Sequence, residues 1–241
     1  MKKYIFIAVS SSILLACGQT ATSTAPTATV ASSTVTVDEA PVQKQASLSE
    51  NLKQAVFAGG CFWCVEADFE KLEGVSEAVS GYTGGRTDNP TYKEVTFRET
   101  GHFEAVRVTY DPAIVSYTQL LDYFWRHIDV TDPNGQFCDK GSSYRTAIFP
   151  DESEFAIAEQ SKNDIAISKP FDGPVTTDII PLGKFYVAEE YHQDYYKKNP
   201  VHYARYRIGC RRDARLRQLW GSSKGDNSAP IKASGSYGSG K

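Results

Sequence analysis

The sequence predicts an α+β protein, a two-layer α/β sandwich, over residues 48–221. Short apolar or alternating runs recur close together, most of them closed by glycine or proline. Amphipathic stretches with three-to-four spacing fall between some of those runs. Strands near one another in sequence, with helices between only some of them, pack as one sheet covered by helices.

Gln54-Ala55-Val56-Phe57-Ala58 is the first strand, and Gly59-Gly60 ends it. From Phe62 the pattern turns helical, with Phe62, Val65, Phe69 and Leu72 on one stripe and Gly74 as terminator. Cys61 therefore falls at a strand-to-helix junction. Unpaired N–H groups and the positive end of the helix dipole favour an anion there, so a stabilised thiolate is expected. Residues 75–82 form a strand that ends in the Gly84-Gly85 turn. Residues 102–110 alternate, with Val106, Val108 and Tyr110 on one face, and Glu104 has the same parity. Burial there raises a carboxyl pKa and keeps the group protonated near neutrality; a strand-end glutamate reaching solvent fits the pattern equally well. Asp111-Pro112 stops the strand, and Ser116 caps a helix carrying Leu120, Leu121, Phe124, Trp125 and Ile128. A strand at 144–149, a helix at 152–167, a strand at 175–180 and a helix at 188–198, ending before Pro200, complete the domain.

The ends are of a different kind. Lys2 and Lys3 precede a short apolar run, too short for a comfortable membrane span, which closes on Leu14-Leu15-Ala16-Cys17-Gly18. This resembles the lipobox of bacterial lipoproteins. It implies a signal peptide over 1–16, lipidation of Cys17 and a cell-envelope location, outer membrane if the source is Gram-negative, since Gly18 is not the Asp of inner-membrane retention. Residues 17–47 then form a Thr/Ala/Ser/Val-rich disordered tether and 222–241 a disordered tail, both too poor in apolar surface to offset their ordering entropy. The chain of 241 residues carries a net charge of −3, which excludes a general nucleic-acid binder with its basic footprint. Residues 197–217 hold eight Lys or Arg against one Asp and read as a solvated amphipathic end.

Cys61 and Cys64 enclose Phe62-Trp63, a spacing open to three readings: a thioredoxin-like redox pair, half of a zinc site, or a nucleophile with a cysteine neighbour. Structural zinc takes two close pairs, and Cys138 and Cys210 stand alone. Glu189-x-x-His192 occurs once, where di-metal bundles use two, and reads as a solvated helix face. A thioredoxin-like pair leaves Glu104 and the tyrosines without a task.

GGCFWCVEADFEKLEGV, GYTGG, NPTY, TGHFEAVRVTYDP, QFCDKGSSYRTAIF and AEEYHQDYYKKNP, in that order between about residues 56 and 200, resemble the A type of peptide methionine sulfoxide reductase. The resemblance implies a mixed, largely antiparallel sheet with a ferredoxin-like core. It implies that Cys61 attacks the sulfur of a methionine S-sulfoxide, releases methionine and is left as a sulfenic acid. Phe62 and Trp63 match the wall that holds the substrate methyl group. Glu104 matches the acid on the sulfoxide oxygen, Tyr92 and Tyr144 the tyrosines that help hold it, and Asp139 a polar residue of the same pocket. Regeneration needs a second thiol. Cys210 matches the place of a resolving cysteine, although the ending departs from the Gly-rich two-cysteine tail, and Cys64 and Cys138 are the alternatives. No metal or organic cofactor is implied, and electrons come from thioredoxin or a similar donor. A monomer specific for one epimer is expected, because the chain ends too soon for the zinc-bearing domain of opposite specificity. The alternative function is a general thiol–disulfide oxidoreductase using Cys61 and Cys64.

Overall fold

The chain runs β1 (Lys53–Gly59), α1 (Phe62–Phe69), β2 (Val75–Thr83), α2 (Tyr92–Phe97), β3 (Phe103–Tyr110) and α3 (Tyr117–Arg126). A small hairpin of β4 (Gly135–Gln136) and β5 (Asp139–Lys140) follows, then β6 (Thr146–Phe149), α4 (Phe155–Ser168), β7 (Asp178–Ile179) and β8 (Tyr186–Val187). The short α5 (Tyr195–Lys198) leads into α6 (Pro200–Gly209) and α7 (Arg212–Trp220). This computed structural model describes residues 51–221; the expected signal peptide, Cys17, the tether and the 222–241 tail lie outside the described residues.

One six-stranded sheet has the order β7-β6-β1-β3-β2-β8. Its four central strands, β6-β1-β3-β2, pair antiparallel throughout and give the ferredoxin-like βαββαβ arrangement. β7 joins β6 in parallel and β8 joins β2 antiparallel, so the sheet is mixed and largely antiparallel, as expected.

Alternation on β3 decides what faces what. Val106, Val108 and Tyr110 point with Phe57 of β1 into the main core beneath α1 and α3. The Phe57 ring stacks on Phe69 at 4.9 Å and on Phe124 at 5.1 Å. Val56, Ala58, Phe103, Ala105, Ala147 and Phe149 form a second cluster on the reverse face, covered by Ile180 and Phe185. Because both faces are covered, β1 reads in the sequence as a continuous apolar run. Ser116 caps α3 through a reciprocal capping box with Gln119, as its place before the apolar stripe predicts.

Two expectations are corrected. The helix expected over 188–198 is broken: Glu190–His192 is a single 3-10 turn, and Asp194 has φ 53°, a left-handed conformation that ends it before α5 begins. The basic stretch 197–217 is no solvated end. It forms α6 and α7, which bury Tyr203, Arg207, Arg212, Leu216, Leu219 and Trp220. Burial of the two arginines is made tolerable by Asp68 on α1, which pairs with both. Pro200 opens α6 at a first-turn position, where its missing N–H costs nothing, instead of only stopping what precedes it.

Candidate active site

Cys61 is the N-cap of α1, at the junction the sequence places it. Gly60 makes that junction possible in two ways. Its φ of +83° is a left-handed turn, and a Cβ there would lie 2.5 Å from Gln136 Cβ. The close approach ties the thiol to the β4–β5 hairpin, which carries Cys138 and Asp139.

Glu104 is 1% exposed and sits opposite Tyr82 in the β2–β3 register, on the face predicted by its parity. Its Oε2 accepts a hydrogen bond of 3.0 Å from Phe62 N–H, the first amide of the helix that Cys61 caps. Its Oε1 is buried without a hydrogen-bond partner. Burial pushes the carboxyl up to about 8; the Phe62 N–H opposes the shift and Asp139 adds to it. The group is therefore a neutral acid at pH 7 with one oxygen uncommitted. The Tyr144 hydroxyl interacts with both Glu104 and Tyr92, and burial followed by the Glu104 charge raises both phenols, so both stay neutral donors.

The aromatic wall is continuous. Phe62 packs against His192 at 4.9 Å and Tyr82 at 5.9 Å, and Trp63 stacks on Tyr195 at 3.7 Å with an interplanar angle of 6°. Trp63 Nε1 donates to His192 Nδ1 at 3.0 Å. Burial lowers His192 to about 4, so it is a neutral acceptor at that atom. Glu189 takes Tyr82 Oη–H at 2.8 Å and Tyr92 N–H at 2.9 Å, fixing the start of α2. The Glu189-x-x-His192 pair is thus a structural brace of the pocket and not a solvated face. Its helical reading failed because the segment is a 3-10 turn.

The structure brings Cys61, Phe62, Trp63, Tyr92, Glu104 and Tyr144 together, and Asp139 joins them through Tyr206. The Tyr206 hydroxyl donates to Asp139 Oδ2 and also hydrogen-bonds the Cys61 thiol. Sequence reasoning missed Tyr206, Tyr195 and His192; the only signal was their aromatic density in a region read as surface.

The expectation of a stabilised Cys61 thiolate is not met. Burial, then the Cys64 thiol and Glu104, push the Cys61 thiol well up, against its contact with the Tyr206 hydroxyl. The helix end is present, but desolvation and two acidic neighbours outweigh it. Cys138 and Cys210 form a disulfide with Cα atoms 4.8 Å apart, whereas Cys61 and Cys64 are free and buried. Cys210, expected to meet Cys61, is thus joined to Cys138, and Tyr206, one turn earlier on α6, occupies the side facing Cys61. Sulfur and carboxylate atoms of Cys138, Asp139 and Cys210 lie within 4.8 Å of one another, but sulfurs bonded to each other offer no thiolate to a metal.

A family profile described as peptide methionine sulfoxide reductase matches residues 53–224. The chain belongs to the peptide methionine sulfoxide reductase family. Over 167 residues it is 54% identical to the peptide methionine sulfoxide reductase MsrA 2 of Caulobacter vibrioides, covering 69% of this chain and 85% of that one. It is 50% identical to MsrA of Bacillus licheniformis over 175 residues, covering 72% and 97%. The crystal structure of reduced Mxr1 from Saccharomyces cerevisiae matches with a TM-score of 0.59 at 32% identity, covering 62% of this chain and 87% of that one. The methionine sulfoxide reductase A of Corynebacterium diphtheriae matches with a TM-score of 0.57 at 32% identity, covering 64% and 77%.

For a peptide methionine sulfoxide reductase with this geometry, Glu104→Gln keeps the acceptor for Phe62 N–H and removes the proton. Single-turnover reduction should fall by about 10²–10⁴-fold, the usual contribution of a general acid. In the unaltered reductase the rate should decline as pH rises through about 8, where Glu104 loses its proton. Stopped-flow pH profiles should show that limb vanish in the variant; because Glu104 and Cys61 interact, the limb reports the pair.

Proposed function

We propose that this reductase acts on the S epimer of methionine sulfoxide, free or in proteins, and that it does so through Cys61. The observation that carries the reading is the unpartnered, buried Glu104 oxygen among aromatic side chains, beside the helix end that holds Cys61. Phe62 and Trp63 hold the methyl group. Glu104, helped by Tyr92 and Tyr144, donates to the sulfoxide oxygen and makes the sulfur electrophilic. Cys61 sulfur then attacks, the oxygen passes to it, and methionine leaves: one thiol and one sulfoxide give one sulfenic acid and one thioether. Neutral donors suit this step better than charges, because they follow the charge that develops on oxygen without opposing a thiolate. This also explains why a resting thiol is acceptable at Cys61. Proton donation to the sulfoxide oxygen supplies the activation, by making the sulfur electrophilic.

A second thiol then condenses with the sulfenic acid to a disulfide, and a thioredoxin-like dithiol reopens it. The redox equivalents reside in sulfur throughout, so the chemistry calls for no metal or organic cofactor. Asp139, held by Tyr206, keeps the polar side of the pocket in place.

The enzyme is further proposed to be an envelope lipoprotein, anchored through Cys17 and extended from the membrane by the 17–47 segment, where it repairs oxidised envelope proteins. The support is the lipobox-like Leu14-Leu15-Ala16-Cys17. Cys17→Ser should move the protein from the membrane fraction to the soluble one; retention at the membrane would contradict the anchor.

The catalytic reading is tested with resolved epimers and a dithiol reductant. Methionine should form from the S epimer alone, and Cys61→Ser should form none. Turnover by the serine variant, or equal use of both epimers, would sink it.

A further inference from the structure

Beneath the two free thiols lies a buried ion cluster. Cys64 and Asp68 are four residues apart and share one face of α1, and Cys61 is the N-cap ahead of them. Asp68 is buried; its Oδ1 accepts from Arg207 Nη1 at 2.8 Å, and its Oδ2 lies 3.5 Å from Arg212 Nη2. Arg212 is 2% exposed and its Nε has no hydrogen-bond partner. Nη1 donates to Gly59 O at 3.2 Å and Nη2 to His127 O at 2.7 Å. Those bonds fasten α7 to the end of β1 and the end of α3.

The balance of charge matters because one buried carboxylate faces two buried guanidinium groups. The second acid on Arg207, Asp213, accepts from Nη2 at 2.6 Å but has a side chain 40% exposed, so Asp68 is the buried anion of the cluster. Two buried guanidinium groups thus stand against one buried carboxylate on the α1 face that carries Cys64, itself 2% exposed. Neither Arg207 nor Arg212 makes a described hydrogen bond to Glu104, Tyr92 or Tyr144.

We propose that Arg212, with Arg207, is a positioning residue for the second half-reaction and readies Cys64 as the thiolate that resolves the Cys61 sulfenic acid. The inference rests on Cys61 being the nucleophile. Cys64 sulfur attacks Cys61 sulfur, the S–S bond forms and the Cys61 S–O bond breaks. The oxygen leaves as hydroxide and takes a proton to become water. The two sulfurs together give up the two electrons that reduced the sulfoxide.

Geometry permits the bridge. A pair three residues apart is hard to join inside a regular helix, but Cys61 is the N-cap, with φ −49° and ψ 117°, and is free of the helical path. The acidity of Cys64 agrees. Its hydrogen bond with Cys61, then Arg212 and Arg207, hold the thiol below its ordinary value against burial and Asp68. The charged or titratable groups around it are Cys61 at the N-cap, Asp68 from α1, Glu104 from β3, Tyr195 and Tyr196 from α5, Tyr203, Tyr206 and Arg207 from α6, and Arg212 from α7. The Tyr203 and Tyr206 phenols are pushed up and stay neutral, so the arginines are the cations of the set.

The test uses the full chain and one equivalent of methionine S-sulfoxide, quenched over time. Released methionine reports the first step, and mass-spectrometric mapping of alkylated peptides reports the disulfide. The unaltered protein should release one methionine and form a Cys61–Cys64 bond. Arg212→Gln should keep the methionine burst and close the disulfide on the order of tenfold more slowly at pH 7, the change in thiolate fraction that one pKa unit makes. Closure should recover towards about pH 9, where an ordinary thiol ionises, and Arg212→Lys should restore much of it. Arg207→Gln should show a smaller effect of the same kind. Closure at the unaltered rate in Arg212→Gln, or a map joining Cys61 to Cys210 or Cys138, would overturn the assignment. Loss of the burst together with closure would make Arg212 part of the pocket's structure and would overturn it too. Absence of a burst in the unaltered protein would instead defeat the reading of Cys61 on which the inference rests.

Discussion

One hydrogen bond joins the two halves of the chemistry: Phe62 N–H to Glu104 Oε2, 3.0 Å long and buried. Phe62 opens the helix that presents the thiol, and Glu104 lies on the strand at the centre of the sheet. The bond fixes one carboxyl oxygen and leaves the other without a hydrogen-bond partner, the oxygen that the proposed mechanism uses. Everything around it serves to keep it dry. The β2–β3 register sets Tyr82 opposite Glu104, Glu189 draws Tyr82 and the start of α2 together, and His192 holds Trp63. Admit water here and the carboxyl returns towards its ordinary acidity, ionises, and ceases to be an acid.

The same desolvation explains why the resting thiol is quiet. A helix end and a Tyr206 hydroxyl favour a thiolate at Cys61, yet burial beside Cys64 and Glu104 prevails. A buried neutral pair, thiol and carboxyl, is inert until a polar substrate enters. That arrangement limits stray oxidation of Cys61, since it is the thiolate that reacts.

Much of this centre is legible in the sequence, and the physical reasons are specific. Strand periodicity puts Glu104 in phase with Val106 and Val108 but leaves solvent equally open, and only the family resemblance favours the buried place that the structure gives it. Cys61 could be placed at a helix end because diglycine follows an apolar strand. The short helix α2 had a visible signal, Thr91 with Glu94 three residues on, which form a reciprocal capping box. The rest was hidden for good reason. Residues 188–220 are polar and aromatic, and nothing local marks Arg207 and Arg212 as buried; that depends on Asp68, more than a hundred positions away. The break at Asp194 depends on its N–H meeting Glu66 Oε1 at 2.6 Å, another contact across the fold. Cys138 and Cys210 are likewise brought together by α6 packing on the hairpin, which spacing alone does not reveal.

The account stands on a glutamic acid that keeps its proton at neutral pH. Carboxyl-carbon NMR of protein labelled with 13C at glutamate side chains, with Glu104 assigned by its Gln variant, measures that directly. The Glu104 resonance should hold its protonated shift through pH 7 and titrate with a midpoint near 8. A midpoint near the ordinary glutamate value of about 4.3 would contradict it.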